Sequence, residues 1–330
     1  MFSPKFQYHF YHFLILILVF HSNYSNALNF CEQGYRPFFS FRIIGGSNVD
    51  TGVNWMSKLV SYGDDGQGIL CGATVVDNFW LLTAAHCALQ LQKRSFIYVR
   101  KPTTNKEYSF KVVEAYVHAG YNNQTADHDI ALLKLFQISF DLSKLGINPV
   151  CLVHDDSKLL KDYKNGMVIG YGLTLGEDSS GSPKLLNSQT LQSTSVPIIP
   201  DAECVKTWRF LSLLSVKITY NQICAGSYMH GTAPGDSGGP LLIRKSDGEY
   251  VQIGITSYGA DGLDGVIDQG KFPGVYTRVS KYVPWIEGVI GKTSKQKSSS
   301  TSSSSSSTPS TSIIFFFFFP LLLALLRTMK

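Results

Sequence analysis

Through the middle of the chain, apolar residues come in short runs or alternate with polar ones, and Gly, Asn and Asp break the runs apart. Alternation bounded by turn formers is the mark of β-strands. CGATVV (71–76) and FWLLTAA (79–85) flank Asp77-Asn78, which predicts a hairpin. GPLLIRK (239–245) and EYVQIGITSYG (249–259) flank Ser246-Asp247-Gly248 and predict a second. MVIGYG (167–172) follows Asn165-Gly166 and reads as a further strand. Only KYVPWIEGVI (281–290) reads as helix, with Ser280 as its cap and Pro284 early enough to be tolerated. Many strands and few helices over this length predict an all-β sandwich or a pair of barrels.

The two ends follow other patterns. LILILVF (14–20) comes after Lys5 and before the small-residue stretch Ser25-Asn26-Ala27. A basic start, a short apolar run and a small-residue exit describe a secretory signal peptide, residues 1–27 with cleavage after Ala27. The run is shorter than the roughly 20 apolar residues that a membrane-crossing helix needs. At the other end, SSSTSSSSSSTPSTS (298–312) has no residues with which to build a core, so 292–312 reads as a low-complexity linker. IIFFFFFPLLLALL (313–326) follows, then Arg327 and Lys330. Small residues, a polar spacer and an apolar tail predict a GPI-attachment signal over 313–330, with the modified serine near Ser302–Ser304. A short spanning helix is the alternative. The apolar run, interrupted by Pro320, would span only about 21 Å of a hydrocarbon core of about 30 Å, although Arg327 and Lys330 resemble a stop-transfer flank. Both readings place the protein at the cell surface, held by its C-terminal anchor; a soluble extracellular protein is the remaining alternative. The globular domain is residues 43–291.

Secretion changes how the cysteines are read. There are six: Cys31, Cys71, Cys87, Cys151, Cys204 and Cys224. An even number in an oxidising compartment predicts three disulfides, and arithmetic alone leaves 15 pairings open. No CxxC pair is present, which argues against a zinc site. The net charge of +5 is spread thinly with no basic run, so nucleic acid is not an expected partner. Asn123-Gln124-Thr125 is an N-glycosylation sequon and predicts a surface loop.

Three stretches carry chemistry: TAAHC (83–87) with His86, ADHDIALLKL (126–135) with Asp129, and GDSGGP (235–240) with Ser237. A serine hydroxyl is a weak nucleophile at neutral pH; it needs a base to take its proton, and the base needs an orienting acid. His86 and Asp129 fit those roles. The glycines around Ser237 allow a tight turn, in which the N–H groups of Gly235 and Ser237 can bind an oxyanion. Each stretch alone is a weak signal, since glycines beside serine usually make only a turn. All three in the order His, Asp, Ser are a strong one. An esterase would put serine first, on a parallel sheet. A catalytically inactive binding or adhesion module would be expected to have lost one of the three.

With RIIGG (42–46), NQICAG (221–226), SYG (257–259) and PGVYTRV (273–279), these motifs make the chain resemble the chymotrypsin/trypsin-like serine proteases over residues 43–291. The resemblance implies an all-β fold of two packed six-stranded antiparallel β-barrels with a C-terminal helix. His86 and Asp129 would lie on the first barrel, Ser237 on the second, and the site between them. It also implies bridges Cys71–Cys87, Cys204–Cys224 and Cys31–Cys151. Residues 28–42 become a propeptide cut after Arg42, so that the new amino terminus at Ile43 pairs with Asp236. One family bridge is absent: Ala233 stands at one cysteine position, and SYGADGLDG lacks the other, which predicts looser pocket loops.

The specificity pocket would be lined by Gly231, Thr232, Ser257, Tyr258, Gly259 and Gly274. Trypsin-like members have Asp at the floor, where this chain has Gly231. With no acid there and glycines in the walls, the expected guest is a large apolar side chain such as Phe, Tyr, Leu or Met. The alternative is trypsin-like specificity, supplied by Asp261, Asp264 or Asp268 from the long loop 260–272. Ser257 is expected to support Asp129. No cofactor or metal is implied. Expected partners are protein or peptide substrates, an activating trypsin-like protease and protein inhibitors.

Overall fold

The computed structural model describes residues 43–302 except 50–52, 64–67, 101–105, 137–141, 189 and 212–216, with side chains to residue 292. The signal peptide, Cys31, Arg42 and the apolar tail lie outside the described residues. The chain divides into one unit ending at Val289 and another starting at Ile290. The first carries every strand.

The first barrel closes in the order β2 (Met56–Tyr62), β3 (Gly68–Asp77), β4 (Trp80–Thr83), β7 (Ala131–Leu135), β6 (Glu107–Val117), β5 (Arg94–Arg100) and back to β2. The second runs β11 (Gln192–Ile199), β12 (Gln222–Ala225), β15 (Gly274–Arg278), β14 (Tyr250–Tyr258), β13 (Pro240–Arg244) and β8 (Asn165–Gly170), which returns to β11. All these pairings are antiparallel. β1 (Ser47–Asn48) extends the second barrel at β11, and β9 (Thr174–Glu177) pairs with β10 (Pro183–Leu186) as a separate hairpin.

Strand burial follows from position. β5 alternates because one face looks into its barrel and the other toward solvent. β14 is buried along almost its whole length, as is β7. The second core gathers Val168, Val196, Ile223, Leu241, Ile243, Val251, Ile253 and Tyr276, together with Ile43 from the start of the domain. Each such side chain contributes about 1.5–3 kcal/mol by leaving water.

Both expected hairpins form, across Asp77/Trp80 and Arg244/Tyr250. Short helices punctuate the strands: α1 (Ala85–Ala88), α2 (Ser157–Asp162), α3 (Asp201–Leu211), α4 (Gly262–Ile267) and α5 (Val283–Ser302). Only the last overlaps the sequence expectation, with two corrections: it runs on to Ser302, into the stretch expected as a low-complexity linker, and Ser280 is not its cap. Ser280 sits in the preceding 3-10 turn and donates its hydroxyl to Asp156 Oδ2 at 3.0 Å, so it ties the turn to the buried Asp156–Arg278 pair instead of capping the helix. No helix among the described residues is long and apolar enough to cross a membrane.

Cys71–Cys87 ties β3 to α1, and Cys204–Cys224 ties α3 to β12. Cys151 is also disulfide-bonded, and its expected partner Cys31 lies outside the described residues.

The barrels are joined by polar contacts as well as packing. Gly72 N–H donates to Ser237 O at 2.7 Å, and Trp55 meets Tyr250 edge-on at 5.8 Å between ring centroids. At the buried seam, Thr74 Oγ1 donates to Gln252 Oε1 at 2.7 Å, both residues 0% exposed. Thr74→Val keeps the shape but leaves that carbonyl unpaired. It should cost about 1–3 kcal/mol in denaturant unfolding; an unchanged midpoint would mean that this bond does not hold the barrels together.

Candidate active site

Three segments from both barrels converge. β4 ends at Thr83, whose hydroxyl donates to Gly72 O at 2.8 Å, and α1 then lifts His86 to the edge of the barrel. Asp129 lies just before β7 and is almost fully buried. Its Oδ1 accepts the His86 main-chain N–H at 2.9 Å, and its Oδ2 accepts His86 Nδ1 at 2.7 Å and the Ser257 hydroxyl at 2.6 Å. Thr277 Oγ1 donates to the Asp129 main-chain carbonyl at 2.8 Å. Those donors compensate the loss of water around a buried carboxylate. They also set the histidine. With Nδ1 donating to Asp129, the lone pair of the neutral ring lies on Nε2, where it can accept a proton.

Ser237 sits in a turn between Gly235, at φ +95°, and Gly238, at φ +79°. Gly238 N–H donates to Thr256 O at 2.9 Å. A Cβ at Gly238 would fall 2.2 Å from Thr83 Oγ1 and 2.5 Å from Gly72 O. Only glycine lets the turn lie this close to the strand end that leads into His86. Ser237 itself is partly exposed.

Asp236 points the other way, into the second barrel, and is 1% exposed. Its carboxylate accepts Gly172 N–H at 2.8 Å and Ala233 N–H at 2.9 Å. Burial pushes its pKa up to about 6, against the pull of those two donors. Ile43 is buried in the same barrel, and Ile44 bridges to Gly231.

The pocket residues group around Gly231. Thr232 follows it, Gly274 opens β15, and Ser257 and Tyr258 end β14 beside Gly259. A Cβ on Gly259 would meet nothing within 4 Å, as an open wall requires. Tyr258 packs edge-on against Trp208 of α3 at 5.2 Å, and Trp208 Nε1 donates to Pro273 O at 3.2 Å. The floor differs from the expected open one. Gln269, 4% exposed, lays its carboxamide directly over Gly231. Its Nε2 donates to Thr232 O at 2.5 Å and its Oε1 accepts Thr232 N–H at 3.2 Å. Asp261 and Asp264 of the same loop are exposed, and Asp268 accepts Lys271 N–H at 3.1 Å. Gln269 carries no sequence signal: it belongs to no motif, and its partner is main chain 37 residues away.

Asn123 is exposed in the turn between Tyr121 and Asp127, open to modification. Cys71, His86 and Cys87 place their ligand atoms within 4.8 Å of one another, but the two sulfurs are bonded together and offer no thiolate to a metal.

The family profile described as Trypsin matches residues 43–286. The chain belongs to the trypsin-like serine proteases, a family of endopeptidase hydrolases. Transmembrane protease serine 7 of Mus musculus is 36% identical over 260 residues, which cover 75% of this chain and 28% of that protein. The Homo sapiens protein of the same name is 35% identical over 257 residues, 74% of this chain and 27% of its own length. The chain thus spans less than a third of these relatives. Within this trypsin-like domain, the Gln269–Thr232 bonds tie the 260–272 loop to the segment that carries Ala233, where the family bridge is missing.

The elevated pKa of Asp236 has a measurable consequence. The unfolded carboxyl titrates near 3.8 and the folded one near 6, so between these values the folded chain holds more protons. Stability of the uncut chain should therefore fall as pH rises through this window, by roughly 3 kcal/mol for the full shift. Asp236→Ala removes the titration. Its unfolding free energy should change less than that of wild type between about pH 4 and 7; parallel pH profiles would show that Asp236 is not the titrating group.

Proposed function

We propose that the protein is a cell-surface serine endopeptidase, made as an inactive precursor and activated by a cut after Arg42. The observation that carries this reading is the buried Asp129, hydrogen-bonded to His86 at 2.7 Å beside the glycine-flanked turn of Ser237. His86 Nε2 takes the Ser237 proton as the hydroxyl oxygen attacks a substrate carbonyl carbon. Asp129 stabilises the imidazolium that results. The oxyanion is held by the N–H groups of Gly235 and Ser237, while the intervening Asp236 N–H is turned inward to Ala233 O at 3.0 Å. His86 then protonates the leaving amine, and water, activated in the same way, releases the acyl group.

Activation follows from Asp236. In the uncut chain it is a buried carboxylate held by main-chain donors. A cut after Arg42 frees the Ile43 ammonium, and a buried charge gains most from a paired one. Ile44 already bridges to Gly231, so ordering this segment orders the pocket and the nucleophile turn together.

The preferred residue before the scissile bond is uncharged. The trypsin-like alternative needs an acid at Gly231; the loop residue found there is the neutral Gln269. A protease-like adhesion module needs no nucleophile, and His86, Asp129 and Ser237 are all retained. Partners are protein substrates, an activating trypsin-like protease and protein inhibitors. The apolar tail over 313–330 is read as a GPI-attachment signal, exchanged for the lipid anchor near Ser302–Ser304, in preference to a short spanning helix.

A fluorophosphonate probe tests the chemistry. The protein cut after Arg42 should be labelled, Ser237→Ala should not, and Arg42→Gln should leave the chain whole and essentially unlabelled. Labelling that survives Ser237→Ala would end the assignment of the nucleophile. The anchor is tested on intact cells: a GPI-specific phospholipase should release the protease into the medium, and retention would assign the tail as a membrane span.

A further inference from the structure

Three glycines surround the Gln269 side chain. A Cβ on Gly231 would lie 2.0 Å from its Oε1 and 2.6 Å from its Nε2. A Cβ on Gly274 would lie 3.1 Å from Oε1, and one on Gly226 would lie 2.6 Å from the Gln269 Cβ. The three backbones form a slot that any side chain at position 231 would close. The slot is filled by a carboxamide delivered from the far end of the 260–272 loop.

The amide is fixed at both ends. Nε2 donates to Thr232 O at 2.5 Å and to Val266 O at 3.3 Å, which uses both of its hydrogens. Oε1 accepts Thr232 N–H at 3.2 Å and keeps one lone pair. Because Thr232 offers both a carbonyl and an N–H, the amide cannot turn over without setting donor against donor and acceptor against acceptor. The amide is uncharged, and its Oε1 lies in the space that Gly231 and Gly274 leave.

We propose that Gln269 is the specificity-determining residue of this protease. Its carboxamide is the floor of the primary pocket, which takes neutral side chains of moderate length, Leu, Met and Gln, ahead of Phe and Tyr, and rejects Arg and Lys. The proposal rests on the protease reading above and narrows its substrate class. The rejection of cations has a direct cause: a guanidinium or ammonium would lose water against a neutral amide with no counter-charge. The exclusion of large rings follows from space, since the amide shortens the pocket from below. Gln has an added match, because its own amide hydrogens can reach the spare lone pair on Oε1. Gln269 acts as a clamp as well, tying its loop to Thr232, four residues before Asp236.

The test uses the purified full-length protein cut after Arg42, profiled on peptides varied at the residue before the scissile bond. Fluorophosphonate labelling counts competent sites. Wild type should cleave after Leu, Met and Gln, with kcat/KM for Arg and Lys lower by about 100-fold or more. Gln269→Glu places a carboxylate on the floor and should raise kcat/KM for Arg and Lys, relative to Leu, by about tenfold or more. Gln269→Ala deepens the pocket and should move the optimum to Phe and Tyr. A variant that labels fully yet keeps the wild-type profile would overturn the proposal, as would a wild type that prefers Arg or Lys. If Gln269→Glu fails to fold, the profile of Gln269→Ala decides alone. A folded wild type that neither labels nor cleaves removes the protease reading and this proposal with it, whereas labelling with an unshifted variant profile removes only the role of Gln269.

Discussion

A buried carboxylate needs donors, and Asp129 draws them from both barrels. His86 supplies main-chain and ring N–H from the first barrel, Ser257 supplies its hydroxyl from the second, and Thr277 holds the Asp129 carbonyl from a further strand of the second. Unpaired, a charge at this depth would cost several kcal/mol. Barrel packing and site geometry are consequently one constraint. A shift of one barrel against the other would strip the carboxylate of Ser257, and His86 would lose the partner that holds its lone pair on Nε2. The Thr74–Gln252 bond and the Gly72–Ser237 contact act on the same seam, and both hold the barrels together there.

Asp236 is the counterpart that lacks this full set of donors. It has two main-chain N–H groups and a pKa raised to about 6 by burial. Gly170 and Gly172 leave no room for anything but the carboxylate itself: a Cβ at either would stand within 2.0–2.5 Å of it. The contacts then run in sequence along the chain, Ile44 to Gly231, Gln269 to Thr232, Asp236 to Ala233 and Gly172. The segment at Ile44, the Gly231–Thr232 backbone and the turn of Asp236 are therefore linked by direct contacts. In the proposed mechanism a new ammonium at Ile43 needs only to complete a network that is one charge short.

The parts legible in the sequence are those written in contiguous residues. The barrels follow from alternation and from turn residues such as Asp77-Asn78 and Asp247-Gly248, because strand registers are set locally. His86, Asp129 and Ser237 are each flanked by residues that shape their own turn, as Gly238 does beneath Thr83. Helix α3 was not legible: its core face is Cys204 and Trp208, one turn apart, in a stretch with exposed Val205 and Phe210. The role of Ser280 is not legible for a related reason. Its position before a helix fits a cap, but Asp156, more than a hundred residues away, competes for the hydroxyl and wins because a buried carboxylate is the stronger acceptor.

Gln269 marks the same limit at the pocket. Glycine at position 231 says that no side chain grows from that point of the floor; it does not say that the space is empty. Gln269 of the 260–272 loop lies over it. A disulfide fixes two loops whatever occupies the space between them, whereas a side-chain amide must lie on the backbone it ties, here that of Thr232. In the proposed reading, a hydrogen-bonded tie in place of a covalent one brings a polar, neutral group into the pocket as a consequence of the tie itself. In that reading, loop stability and substrate choice become properties of one residue, and a change to either acts on both.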